Sequence, residues 1–532
     1  MQQFSAATSP VTGGRADAAQ QNRPLFADEH IARALLVLGL LQILMWGASA
    51  WLAYSSTELD SAEQLSWGTA LQLGYWKHPP LPSWIMHGVL ALIPPSAVLP
   101  LVMTQIGVVI ALGLAWCLAR EILPPRQAAL SVLMTSLILY HNAGADSFNH
   151  NTVLLPFQAA TTLAFFLAVR RGSMRWWAAA GLFAGLAMLV KYVAAIHFAG
   201  LLLYLLLDRS AHHRRTFAGM LVGAVVFALV VSPHVYWLHI NGYPPMQYAH
   251  SVMLPLTGIR SAFASVCDFL LTQCYRVIPL LPLLVYVARL RKAEPAKDNH
   301  AVGMVISRRD QLFVWIAAVA PLLITIIFSL VSGFKLEARW GANAFLLAGM
   351  LAIVVIRPFI SADRLKNIMG ITLVAHLVLC LGLVLGKSVI AEHFGRRTRS
   401  NFPAAELAQQ AERTWRAQTD APLRYVATDI WLGGNLRASG LPGVSVLVDG
   451  DHAKSPWIKQ EDVYACGMMV IDDEINTVRA GVPDPQELHA LMENAAASGS
   501  WTLNWGGKKY DRRTVRWAYL PPHDPAHCVH AG

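Results

Sequence analysis

Two acidic residues three positions apart follow the first long apolar segment of the chain. Asp60 and Glu63 lie in the stretch DSAEQ, and in a helix they would share a face and point into one cavity. A carboxylate held in this way can take a proton from a hydroxyl group. The alternative is a solvated loop whose acids complement a helix dipole, which is how we interpret Glu58. We take Asp60 and Glu63 as candidate site residues.

Cations, aromatic rings and a double proline continue the same segment. Lys77 and His78 precede Pro79 and Pro80 in GYWKHPPLPSW, and the prolines make a rigid turn before the chain returns to lipid. The aromatic residues give the segment the amphipathic character of a membrane-lying loop; they are Trp67, Tyr75, Trp76 and Trp84. The stretch therefore predicts a carboxylate held at the bilayer surface beside a bound lipid.

Lys191 lies between two short apolar segments, at the end of GLFAGLAMLVK. An ionisable side chain inside a bilayer costs about 3 kcal/mol, so such residues are functional candidates. A lysine at the end of a half-helix can instead extend its amine to the membrane surface. We predict that Lys191 is functional and that its two flanking segments are half-helices meeting at a break.

Two further polar stretches interrupt the apolar pattern. In GADSFNHNT, Asp146 and His150 are either site residues or caps of a helix that begins near Thr152. In GFKLEARW, Lys335, Glu337 and Arg339 alternate with apolar residues, as they would in a plain solvated loop. Glu337 is either a site residue or only a partner of Arg339.

Composition determines the class of protein. Of the 532 residues 55% are hydrophobic and only 14% charged, with a mean hydropathy of +0.43, which is more apolar side chain than a soluble globule could bury. The net charge of +10 does not indicate nucleic acid binding, because Lys and Arg fall in short clusters between apolar runs. The chain is predicted to be a polytopic α-helical membrane protein.

The basic clusters also predict topology. We count about eleven spans, several of which are near the roughly 20 residues that crossing a bilayer requires. The clusters RRGSMR, RSAHHRR and RLRK then fall on one side, which the positive-inside rule makes cytoplasmic. The candidate residues and everything after Ile390 then face the opposite side. We expect residues 1–30 to form a disordered cytoplasmic arm rather than a signal peptide, and residues 31–390 to form the transmembrane domain.

Residues 391–532 have a different character. Strand-like runs such as VSVLV and GMMVI alternate with helical stretches, which predicts a small soluble α/β domain. LGGN and GLPG are ordinary turn signals and do not indicate a nucleotide site. Of six cysteines, only Cys466 and Cys528 lie in this tail; the sequence leaves open whether they pair in an oxidising compartment.

The order of these motifs resembles that of the GT-C membrane glycosyltransferases. DSAEQ followed by GYWKHPPLPSW is similar to the first loop of family 39, which includes the protein O-mannosyltransferases and the aminoarabinose and galacturonic acid transferases of lipid A and lipopolysaccharide core. The stretches GADSFNHNTVLLPF, GLFAGLAMLVKYVA and FKLEARWGANAFLL resemble later family motifs, in order. The likeness covers roughly residues 31–390, and Ser61 replaces a second acid found in the commoner form of the first motif.

The resemblance implies an inner-membrane enzyme of bacteria that moves a sugar from a polyprenyl phosphate to a hydroxyl on the periplasmic side, with inversion. It makes Asp60 the base, with Glu63 beside it, and it assigns two sets of binding residues. Those for the donor phosphate are Lys191, Lys335, Arg339 and His78. Those for the substrates are Lys77, Tyr75, Asp146, His150, Tyr192, Glu337 and Trp340.

The donor sugar and acceptor are not specified by these residues, and the expected partners are a lipid-linked donor, a lipid, glycan or protein acceptor and membrane lipid, with no nucleic acid. The sequence has no cofactor signature and no ligand set with convincing metal spacing, and the resemblance leaves open a divalent ion at the lipid phosphate. A transporter or flippase would also explain Lys191 at a broken helix. It would not explain the acidic, aromatic first loop or the large soluble tail. A third possibility is a non-catalytic membrane scaffold whose tail recruits partners.

Overall fold

The computed structural model describes residues 29–290, 305–473, 485–505, 512–525 and 528. In this part of the chain seven helices are long and apolar enough to cross a membrane, and a bent pair, Ala338–Ala344 with Ala348–Ile356, makes up to eight spans. The seven are Glu29–Ala53, Leu99–Ile122, His150–Arg171, Arg214–Ile240, Ile259–Leu290, Arg308–Ser332 and Ala362–His393. Most of the proposed N-terminal arm, residues 1–28, lies outside the described residues.

The count of about eleven spans is not confirmed. Met174–Val190 and Ala194–Leu207 are apolar but shorter than the other spans, and their break falls at Lys191, as predicted. The apolar run after Pro125 forms a helix only as far as Ser136, and a short 3₁₀ turn and loop follow it. Polar residues that end or interrupt helices therefore shorten several of the predicted spans.

The helix His150–Arg171 is the centre of the membrane part, since 89% of its most apolar 18-residue stretch is buried. It packs between Leu99–Ile122 and Met174–Val190. Small residues allow close approach of the next pair: a Cβ atom on Gly181 would lie 2.1 Å from the carbonyl oxygen of Gly223 in Arg214–Ile240. Such contacts are typical of helix packing in lipid, where apolar burial alone gives no preference for a partner helix.

Short elements surround one end of this bundle. Leu59–Trp67, Leu81–Leu90 and Pro244–Val252 are helices of nine or ten residues, and Ala338–Ala344 is a 3₁₀ helix. Leu59–Trp67 carries Asp60 and Glu63, and Ala338–Ala344 carries Arg339 and Trp340.

The C-terminal part contains a five-stranded sheet. The strands are β1 Tyr425–Thr428, β2 Ser445–Val448, β3 Met468–Asp472, β4 Ala497–Asn504 and β5 Arg512–Leu520. Their order in the sheet is β2-β1-β3-β5-β4. β1 is parallel to both β2 and β3, whereas β5 is antiparallel to β3 and β4. The helices around it are Ala404–Arg416, Ile430–Ala438, Gln460–Cys466 and Gln486–Glu493.

Cys466 and Cys528 form a disulfide, with Cα atoms 5.3 Å apart. The bond joins the end of the helix before β3 to the last part of the chain. This is the pairing that the sequence left open, and it fits an oxidising compartment.

Candidate active site

The helix Leu59–Trp67, which carries both candidate catalytic acids, is held between the membrane part and the sheet. Asn435 accepts a hydrogen bond from the Thr57 amide at 2.7 Å, and the Trp431 indole donates to the Thr57 carbonyl at 2.9 Å. Ala62 belongs to the apolar core of the C-terminal part. The helix Ile430–Ala438 of the C-terminal part therefore positions the acidic helix directly.

Ser61, the residue that replaces a second acid, ties the same helix to the loop before His150–Arg171. Its hydroxyl oxygen lies 3.1 Å from the Ser147 hydroxyl and accepts a hydrogen bond from the Phe148 amide at 2.9 Å. Ser61 is 1% exposed. A carboxylate would bring a charge into this buried contact, so a small neutral hydroxyl suits the position.

Asp60 lines a polar cavity of about 290 Å³. Its Oδ2 accepts a hydrogen bond from Arg339 Nη1 at 3.1 Å. An acid from the first loop and a cation from the late loop, residues 333–340, therefore meet there. The other charged side chains that line this cavity are Glu58, Asp146, Arg276 and Arg399.

Glu63 points away from this cavity into a buried ion pair. Lys77 Nζ lies 2.6 Å from Glu63 Oε2, and both side chains are largely buried. The ammonium group also lies over the rings of Tyr248 and Trp76, 5.1 and 5.5 Å from their centroids. The two acids that were predicted to share one cavity are therefore in different surroundings, and Glu63 does not line the cavity of Asp60.

Burial raises the pKa of Glu63 to about 7, although Lys77 opposes the shift. For Lys77, burial acts to lower the pKa, but the charge of Glu63 outweighs it and the net pKa is raised. The pair is most stable in its ionised form only because each charge compensates the other.

Glu63, His78 and His150 each offer a ligand atom within 4.8 Å of the others. The two imidazole centroids are 3.9 Å apart, and His150 Nε2 is buried without a hydrogen-bond partner among the described residues. Burial, followed by the neighbouring His150, lowers the pKa of His78, which favours the neutral imidazole that binds metal. One carboxylate and two imidazoles are a zinc-type ligand set, so these residues could hold a divalent cation in competition with Lys77.

Lys191 occupies the break between the two short apolar helices. Its backbone is extended there, and its Nζ donates to Asn151 Oδ1 at 2.6 Å. Asn151 lines the polar cavity, and the charges that act on Lys191 include those of Asp60 and Arg339. The lysine therefore belongs to the same site as the acid.

Asp146 and His150 do not cap the following helix. That helix begins at His150, and Asn149 caps it by accepting from the amides of Asn151 and Thr152. Asp146 instead accepts from Lys387 Nζ at 3.0 Å, and the same lysine lies 2.9 Å from Glu58. Glu58 is therefore an ion-pair partner as well as the residue at the helix start.

The remaining predicted residues are more dispersed. Lys335 and Glu337 are exposed, and Arg339 pairs with Asp60 rather than with Glu337. The Tyr192 hydroxyl lies 2.7 Å from His234 Nε2, and Trp340 lines a separate small pocket. Tyr75 stacks on Trp67 and donates to the Ala70 carbonyl, which places it in the packing of its own loop.

Sequence reasoning missed several residues of the site. Lys387 lies in a π-helical turn of the last span, and Arg276 lies near the end of Ile259–Val277. Both are isolated cations in long apolar segments, which is the same signal that drew attention to Lys191. Tyr140 and Arg399 carried no local signal.

The fold is the GT-C fold of membrane glycosyltransferases. A family model described as dolichyl-phosphate-mannose-protein mannosyltransferase matches residues 77–237. The fold is similar to that in the crystal structure of ArnT from Cupriavidus metallidurans bound to undecaprenyl phosphate, with a TM-score of 0.58, 14% identity, and coverage of 91% of this chain and 97% of that one.

Two relatives come from Rhizobium johnstonii. The lipopolysaccharide core galacturonosyltransferase RgtA is 25% identical over 411 residues, which cover 74% of this chain and 77% of RgtA. The lipid A galacturonosyltransferase RgtD is 24% identical over 330 residues, covering 59% of this chain and 64% of RgtD. The chain has the two parts, a helical bundle and a small sheet, that the sequence predicted.

Proposed function

We propose that this protein transfers a sugar from a polyprenyl phosphate to a hydroxyl of lipid A or lipopolysaccharide core at the periplasmic face of the inner membrane of a bacterium. The observation that carries the proposal is Asp60, placed on the wall of a polar cavity with Arg339 at 3.1 Å. The names of RgtA, RgtD and ArnT support the acceptor and the donor.

In the proposed reaction, the acceptor oxygen attacks the anomeric carbon from the face opposite the phosphate, and the bond from that carbon to the phosphate oxygen breaks. Asp60 accepts the acceptor proton. The leaving polyprenyl phosphate gains negative charge, which Lys191 and Arg339 stabilise. The sugar is transferred with inversion.

Domain roles follow from the same proposal. Residues 31–390 would form the catalytic membrane domain and residues 391–532 a periplasmic domain that holds the acidic helix in place. His78 and His150 would lie behind the Glu63–Lys77 pair rather than at the reacting carbon, since neither lines the cavity of Asp60.

The test is mass spectrometry of envelope glycolipids from cells with the wild-type protein, without it, and with Asp60→Asn. We expect the same sugar to be missing without the protein and with Asp60→Asn, while purified Asp60→Asn still binds the lipid-linked donor. Asp420→Asn, a change at an exposed acid of the soluble part, is the control and should leave the glycolipids unchanged. Transfer that continues with purified Asp60→Asn would contradict the role of Asp60 as base, whereas a purified wild-type protein that binds the donor but transfers no sugar would favour the transporter alternative.

A further inference from the structure

Arg276 is the feature of the polar cavity that the proposed mechanism does not use. The three acids of the cavity are already engaged: Asp60 pairs with Arg339, and both Glu58 and Asp146 pair with Lys387. Among the described residues no carboxylate pairs with Arg276, although its side chain lines the same cavity. A guanidinium group in this position has hydrogen-bond donors available for an anion.

The surrounding residues hold the guanidinium of Arg276 in place. It lies over the Tyr140 ring, 5.1 Å from the centroid, and its Nε is buried without a hydrogen-bond partner among the described residues. A Cβ atom on Gly144 would lie 2.8 Å from its Nη1 and 2.8 Å from the Leu139 carbonyl oxygen, so glycine at this position leaves space for the guanidinium.

Tyr140 is in turn fixed to the late loop. Its hydroxyl lies 2.9 Å from both Gln273 Oε1 and the Ala338 carbonyl oxygen, and Ala338 precedes Arg339. The position of Arg276 is therefore coupled to that of the cation beside Asp60. Pre-organisation of this kind lowers the entropy cost of binding an anion.

The cavity volume of about 290 Å³ is at the small end for ligand sites, which suits a single sugar ring rather than an oligosaccharide. A planar guanidinium binds a carboxylate through two parallel hydrogen bonds. Asp60, the proposed base, is on the wall of the same cavity, so a sugar held there has its reacting carbon near the base. A carboxylate on that sugar is the anion that would use Arg276 without displacing Lys191 or Arg339 from the phosphate.

We propose that Arg276 binds the carboxylate of a uronic acid carried by the donor lipid, and so selects an acidic donor sugar over its neutral counterpart. The inference rests on the proposed function, since it requires a lipid-linked donor in this cavity. It goes further than the similarity to RgtA and RgtD, because it assigns the choice of donor sugar to one side chain.

The experiment compares two donors of equal prenyl length, polyprenyl-phosphate galacturonate and polyprenyl-phosphate galactose, which differ at the carboxylate. With purified full-length protein and lipopolysaccharide as acceptor, wild type should prefer the uronate in kcat/KM. Arg276→Gln should reduce that preference by about 10-fold to 150-fold, the range for a hydrogen bond to a charged group, and Arg276→Lys should retain part of it. Arg260→Gln, at an exposed arginine of the same helix, should change nothing.

Equal use of the two donors by wild type would overturn the inference and leave the proposed function standing. So would an equal loss for both donors in Arg276→Gln; with a raised KM for lipopolysaccharide, that loss would assign Arg276 to an acceptor phosphate. Transfer of neither sugar by wild type would also overturn the inference, and the sugar that is missing from the envelope glycolipids without the protein would then decide the proposed function separately. If Arg276→Gln does not fold, inhibition of wild type decides: free galacturonate should inhibit more strongly than galactose, and equal inhibition would overturn the inference.

Discussion

At the scale of single residues, the site combines acids and cations that the chain contributes from distant positions. Asp60 and Arg339 are 279 residues apart, and Lys387 and Glu58 are 329 apart. Each acid lining the cavity has a cation partner, so the negative charges are compensated while the charged groups remain at the cavity. A bound phosphate or carboxylate must then compete for cations that are already in position.

Lys191 is expected to stabilise the leaving phosphate. One well-placed cation in a dry site is worth about 2 to 4 kcal/mol, so Lys191→Met should lower the rate of transfer by roughly 30-fold to 1000-fold. Lys191→Arg should retain part of the rate. Lys366→Met, at a side chain that is 79% exposed, is the control, and all four proteins are compared by transfer assays on folded, purified samples.

A wild-type rate for Lys191→Met would show that Lys191 only extends its amine toward the membrane surface. The donor phosphate would then have to be assigned to Lys335 or Arg339.

The Glu63–Lys77 pair should make stability depend on pH. Because the pKa of Glu63 is raised from 4.5 to about 7, the folded protein binds more protons than the unfolded chain between these values, and the free energy of unfolding falls as pH rises through that interval. Lys77→Met leaves the buried carboxylate without a partner and should cost about 3 to 5 kcal/mol at pH 8. The cost should be smaller at pH 6, where Glu63 takes up a proton.

Thermal unfolding in detergent at both pH values measures this effect. The double variant Lys77→Met/Glu63→Gln should recover much of the loss, and Lys454→Met, at a lysine that also lies over Trp76, is the single-charge control. A loss that is equal at pH 6 and pH 8 would mean that Glu63 stays ionised in the variant.

At the scale of elements, the contact between Leu59–Trp67 and Ile430–Ala438 determines where Asp60 lies. A Cβ atom on Gly434 would be 2.1 Å from the Ala62 carbonyl oxygen. Gly434→Val should therefore displace the acidic helix and lower kcat by about tenfold or more, because small misplacements of a catalytic group are costly. Gly443→Ala is the matched control, since nothing lies within 4 Å of a Cβ at that position.

Transfer assays and circular dichroism on both glycine variants check this expectation. A folded Gly434→Val protein with the wild-type kcat would show that the acidic helix keeps its position without this contact.

Elements differ in how far the sequence could predict them. The break at Lys191 was predictable because a charged residue interrupts an otherwise apolar run. The helix start at Asn149 was not separable from Asp146, since Asp, Ser and Asn are all good caps. Arg276 and Lys387 could have been identified as lone cations in apolar segments, but their partners could not, because those contacts depend on how distant helices pack.

At the scale of the whole molecule, the proposed orientation can be tested by labelling. In a variant without its four free cysteines, Cys117, Cys267, Cys274 and Cys380, a membrane-impermeant thiol reagent should label Asp420→Cys in intact spheroplasts. Arg209→Cys, exposed at the opposite end, should react only after lysis. The reverse pattern would put the cavity on the cytoplasmic face, where a nucleotide sugar would be the more natural donor.

The contact between the helix Ile430–Ala438 and the acidic helix also has a consequence for biogenesis. Thr57 is synthesised early, and the Asn435 side chain that holds it comes 378 residues later. During translation the acidic helix therefore cannot contact the helix Ile430–Ala438 until the transmembrane segments have been inserted and the C-terminal part has folded. A ribosome that stops before Ile430 releases a membrane-bound chain that contains Asp60 and its cations but lacks the support that aligns them, so truncated products should be inactive rather than poorly controlled transferases.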